Sequence, residues 1–137
     1  MFTHRSASRL ALLLVGLTVG CASTVPRGGW TLLGQRTVNH RAERDEVAVG
    51  PREGTFERIK LVVRSRAVTF RDVEVHFVNG TRQDVALRST IRVGGETRAI
   101  DLTGGDRRIA RVVFVYETHR TRDPRDPRAV VALYGWR

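Results

Sequence analysis

The sequence predicts an all-β domain, an antiparallel β-sandwich, jelly-roll-like, of eight to nine short strands. Three observations carry that expectation. Apolar residues recur with period two, most cleanly over Val68 to Val78, where Val73, Val75 and Phe77 point one way and Asp72, Glu74 and His76 the other. Glycine, proline and asparagine punctuate the chain at short intervals. No segment repeats apolar residues at helical spacing over three turns.

The amino terminus stands apart from this pattern. Met1 to Arg9 carries Arg5 and Arg9 and no acid, Leu10 to Val19 is apolar, and Gly20, Cys21, Ala22 and Ser23 are small. Basic, then apolar, then small is the order of a secretory signal peptide. The apolar run is shorter than the roughly 20 residues of a permanent span. Cys21 is the only cysteine, so no internal disulfide forms. Leu17-Thr18-Val19-Gly20-Cys21 resembles a bacterial lipobox, with Thr18 where leucine is preferred. The alternative is ordinary cleavage after Ala22 or Ser23, with Cys21 discarded. The lone cysteine at the end of the leader favours lipidation. We therefore divide the chain into a lipoprotein-type signal peptide (1–20), a tether (21–29) and one sandwich domain (30–137). Ala22, not aspartate, follows Cys21, which by the sorting rule for bacterial lipoproteins points to an outer membrane, facing the periplasm.

Trp30 to Val38 reads as the first strand, with Gly34 as a bulge. A charged connection leads to a short strand, Glu46 to Val49, stopped by Gly50-Pro51. Phe56 to Arg64 places Ile59, Leu61 and Val63 on one face and Arg58, Lys60, Val62 and Arg64 on the other. After Val68 to Val78 comes Asn79-Gly80, the preferred pair for a two-residue type I′ hairpin, and Arg82 to Arg88 returns. Ile91 and Val93 precede a Gly94-Gly95 turn. Thr97 to Leu102 is then a half-buried strand, Gly104-Gly105 a tight reversal with Asp101 and Arg107 on its two arms, and Ile109 to Tyr116 a central strand apolar on both faces. Arg120 to Arg128 contains two Asp-Pro-Arg units and reads as a loop. Ala129 to Trp136 closes the sheet.

Taken in order, Trp30-x-x-Leu33-Gly34, Asp45-x-Val47-x-Val49-Gly50, Gly54-x-Phe56-x-x-Ile59-x-Leu61-x-Val63, Asn79-Gly80, Asp101-Leu102-x-Gly104-Gly105-x-Arg107-x-Ile109 and Tyr134-Gly135-x-Arg137 resemble small secreted bacterial proteins of the YaaI-like kind, a domain of unknown function. The resemblance runs over nearly all of the chain after the leader. It implies an exported β-sandwich and brings no reaction, cofactor or catalytic residue.

The formal charge is +10, and Lys60 is the only lysine among 24 basic residues. Such a balance suits an anionic envelope component, a glycan or a lipid. Nucleic acid is not expected outside the cytoplasm. The basic residues are spread along the chain, and arginine replaces lysine throughout, as base composition alone produces.

Candidate ligand or partner contacts are Arg107, Arg108, His119, Arg122, Arg125 and Arg128. His40, His76 and His119 sit in no metal-binding spacing, so no metal or other cofactor is expected. A hydrolase using His119 with Asp123 or Asp126 is the third choice. Ser65 and Ser89 lack a G-x-S-x-G turn, and Asp72 with Glu74 reads as solvent-facing acids paired with arginines. Gly104 to Arg108 lacks the GK[ST] end and following helix of a phosphate loop. Trp30, Phe56, Tyr116, Tyr134 and Trp136 have the chemistry to stack on sugars, but their aliphatic neighbours make them core residues. The expectation is a non-enzymatic interaction or structural module of the cell envelope, anchored to the membrane through lipidated Cys21. A binding domain for an anionic glycan or lipid is the alternative.

Overall fold

The computed structural model describes residues 28–39, 41, 43–118 and 123–137. The strands are β1 (Trp30–Thr37), β2 (Glu43–Ala48), β3 (Arg58–Arg64), β4 (Val68–Phe77), β5 (Arg82–Val85), β6 (Ser89–Ile91), β7 (Ile100–Asp101), β8 (Ile109–Thr118) and β9 (Val130–Trp136). They form a four-stranded sheet, β1-β9-β3-β7, and a five-stranded sheet, β2-β8-β4-β5, with β6 also on β4. All pairings are antiparallel.

The pairings are nested. β1 meets β9, β2 meets β8, β3 meets β7 and β4 meets β5. That is one long antiparallel ribbon whose tip is the turn between β4 and β5. Rolling the ribbon drops successive segments into alternate sheets, and the β3–β9 and β4–β8 pairings close the roll. The result is a jelly roll, as the strand pattern leads one to expect.

Alternation fills the space between the sheets. Ile59, Leu61 and Val63 of β3 face Val73, Val75 and Phe77 of β4, all buried. β8 and β9 lie inside their sheets and are apolar on both faces, as Val113 and Ala132 show. Phe114 packs edge-on against Phe70 at 6.0 Å between ring centroids. Each fully buried side chain of this size contributes about 1.5–3 kcal/mol. The buried Tyr116 donates its hydroxyl hydrogen to Asp45 (2.8 Å) and accepts from the Asn39 amide (3.0 Å). Burial, then the Asp45 carboxylate, pushes this phenol above its ordinary range.

Three local expectations are corrected. The hairpin at Asn79-Gly80 is not a two-residue type I′ turn. Phe77 pairs with Thr81, the Gly80 amide bonds the Phe77 carbonyl, and only Gly80 has positive φ (87°). This is a three-residue loop, a type I turn followed by a left-handed glycine. Asn79 keeps negative φ because its side chain accepts from the Thr81 amide (3.1 Å) and hydroxyl (2.6 Å), an Asx turn. Gly104-Gly105 does not join two paired strands either. β7 belongs to one sheet and β8 to the other, so the turn is a corner between sheets. Asp101 accordingly pairs with Arg58 of β3 (3.2 Å), not with Arg107. Finally, Thr97 to Leu102 shortens to the two residues of β7, because Thr97 turns its hydroxyl inward to accept from the Leu61 amide (3.1 Å). Gly34 does mark a bulge, where the β1–β9 register shifts.

Candidate functional site

The strand register sorts the candidate contacts. Arg58 of β3 lies opposite Trp136, and Arg64 opposite Val130. Phe77 of β4 lies opposite Ile109, and Val68 opposite Thr118. One end of the sandwich therefore holds Arg107, Arg108, the Asn79-Gly80 tip and Trp136. The other holds Arg125 and Arg128, in the connection before β9. The arginines singled out in the sequence do not converge on one site. Cys21, His40, His119 and Arg122 lie outside the described residues.

At the tip end, two clefts adjoin at Thr55 and Asp106. The first, about 270 Å³, is walled by Phe77, Val78, Asn79, Arg107 and Arg108. The second, about 440 Å³, is walled by Glu57 and Arg137. Arg107 belongs to the wall. Its guanidinium lies 3.7 Å from the centre of the Phe77 ring. It donates to the Thr103 carbonyl at 2.7 Å and to the Thr81 hydroxyl at 2.9 Å. Arg107 thus ties the β4–β5 tip to the corner between the sheets. Arg137 lies over Phe56 (4.7 Å) and donates to the Glu53 carbonyl, and its Nε is buried without a partner among the described residues. Arg108 lines the cleft with an exposed side chain. The clefts suit ion pairing with a small group, and their best-placed fork, Arg107, already holds the fold.

Several charges elsewhere pair. Glu74 bonds His76 (3.1 Å) and Arg44 (2.9 Å) on the outer face of the five-stranded sheet. The hydrogen bond from His76, then that from Arg44, holds the Glu74 carboxyl below its usual range. Asp126 bonds Arg66 (2.7 Å), and the Asp123 carboxylate accepts from the Arg125 amide (2.8 Å). Among the described residues no three His, Cys, Asp or Glu side chains gather as a metal site would require.

The aromatic residues divide in a way the sequence reading missed. Phe56 and Tyr116 are core. Trp30, Tyr134 and Trp136 are not; they stand half-buried on the outer face of the four-stranded sheet. The alternation of β9 sends Val131, Leu133 and Gly135 inward and Tyr134 and Trp136 outward. The inward glycine was the available signal. An added Cβ at Gly135 would lie 2.5 Å from the Phe56 ring, so this position faces the core and its neighbours cannot.

No curated protein and no solved structure matches the chain significantly. Residues 10–135 match a family described as a domain of unknown function, DUF2541. With the match covering nearly the whole length, the chain belongs to the DUF2541 family.

Proposed function

We propose that this chain is an exported protein of the bacterial cell envelope, of the YaaI-like group, held on the membrane by a lipidated Cys21 and acting as a non-enzymatic interaction module. The observation that carries the reading is the placement of Cys21. It is the only cysteine, it follows a basic and then an apolar stretch, and the first strand begins nine positions later at Trp30. The family match reaches back to residue 10, so the apolar run is part of the pattern it covers. A diacylated cysteine gives the stable anchoring that one acyl chain does not.

The clefts at the tip end support binding rather than turnover. Arg107 is committed to Phe77, Thr81 and Thr103; of the two acids named beside His119, Asp126 is paired with Arg66 and Asp123 accepts from the Arg125 amide. The described candidate arginines lie at both ends of the sandwich, so attraction to polyanions is diffuse and screened by salt.

The test is fractionation of bacteria expressing the full chain or Cys21→Ser. Wild type is expected with the membranes and the variant in the soluble fraction. Equal solubility of the two would overturn the reading.

A further inference from the structure

We propose that the outer face of the four-stranded sheet, around Trp30 and Trp136, docks on the lipid surface to which the tether leads. The proposal rests on the lipid-anchored reading above and adds which face of the domain meets the bilayer.

Two cross-strand rows build this face. Trp136 lies between Trp30 of β1 and Arg58 of β3, and Tyr134 lies between Leu32 and Lys60. The two indoles meet edge-on at 5.5 Å. Leu32 is 47% exposed, one of three large apolar side chains so exposed among the described residues. The cations stand at the border of the apolar groups. Lys60 Nζ sits 4.4 Å from the Trp30 ring centre, and Arg58 bonds Asp101 at the sheet edge. Tryptophan and tyrosine at the border of an apolar patch have the chemistry of the headgroup region, with the one lysine folded over Trp30 and paired with Glu96 (2.9 Å).

The chain itself names the occupant. Gly28 lies against Trp136, with an added Cβ 3.6 Å from the indole, so the tether joins the domain beside this face. Nine positions separate Cys21 from Trp30, which fully extended span about 30 Å. An anchored domain therefore keeps this face close to the headgroups, where tethering raises the effective concentration to the millimolar range. Weak contacts then suffice. A sugar fits less well. The indole planes are 62° apart, so they offer no common stacking plane, and the Lys60 ammonium covers Trp30.

Trp30 and Trp136 are the only tryptophans, so indole emission reports on this face alone. The mature protein, purified from bacterial membranes, is reconstituted into vesicles of phosphatidylethanolamine and phosphatidylglycerol with brominated acyl chains. Emission shifted to shorter wavelength and quenched by bromine is expected, with both effects lost in Leu32→Asp at unchanged melting temperature. Protein that floats with the vesicles but shows unquenched emission overturns docking while leaving the anchor intact. Protein that matures without lipid overturns the anchor; docking then stands only if adding it to the vesicles still quenches the indoles. A shift produced by a soluble hexose oligosaccharide and not by vesicles makes this a sugar-stacking face and overturns the proposal.

Discussion

Replacing Arg107 by alanine separates a structural arginine from a ligand contact. The guanidinium stacks on Phe77, a contact worth about 0.5–2 kcal/mol depending on its desolvation. Its bonds to the Thr103 carbonyl and Thr81 hydroxyl are charge-assisted, a class worth about 1.5–3 kcal/mol each when buried. Arg107 is only partly buried, so water replaces part of both. The expected loss is about 2–3 kcal/mol. With a urea m-value of about 1–3 kcal/mol/M, the unfolding midpoint falls by about 0.7–3 M. Arg107→Lys keeps the charge but not the planar fork, and should recover less than half. Arg108→Ala should stay within about 0.5 kcal/mol of wild type. Urea unfolding followed by indole emission measures all three. An Arg107→Ala protein of full stability that no longer binds heparin would refute the reasoning and make Arg107 a ligand contact.

Gly135→Ala should cost about 1–3 kcal/mol through overlap with the Phe56 and Leu33 side chains; a double-mutant cycle with Phe56→Leu should show coupling, and additive losses would contradict the packing account. Gly105 has φ 81° with open space around it, so Gly105→Ala carries a purely conformational loss of about 1–2 kcal/mol. Asp101→Ala removes only an exposed pair with Arg58, worth about 0–1 kcal/mol, and urea midpoints in the reverse order would refute this. The folded Glu74 carboxyl titrates below its unfolded value of about 4.3, so its contribution is complete above that value and disappears as pH falls through the folded one. Glu74→Gln should therefore lose less melting temperature than wild type between about pH 5 and pH 3, and parallel curves would show that the His76 and Arg44 bonds contribute nothing.

The fold was legible because a jelly roll writes itself in period-two segments. Ile59, Leu61 and Val63, and again Val73, Val75 and Phe77, needed no tertiary context to be assigned to the core. Ile109 to Tyr116 read as central because its apolar residues serve both faces, and β8 does lie between β2 and β4. The corner at Gly104-Gly105 was not legible, because a glycine pair turns the chain equally well within a sheet or between two. The Asn79-Gly80 loop misled for a related reason. Asn-Gly favours two positive φ values, and the Asn79 bonds to Thr81 select another turn. The candidate site was least legible. Arg107 and Arg108 are neighbours in sequence, yet one clamps Phe77 and the other lines the cleft exposed. Trp30 and Trp136 lie at opposite ends of the sandwich sequence, and only the β1–β9 register brings them together.

The account turns on the fate of Cys21, and the intact mass of the mature protein reads it directly. A chain that begins at Cys21 and carries the added mass of a diacylglyceryl group is the predicted result. A lipid-free chain that begins after Ala22 or Ser23, or one that keeps residues 1–20 intact, would contradict it.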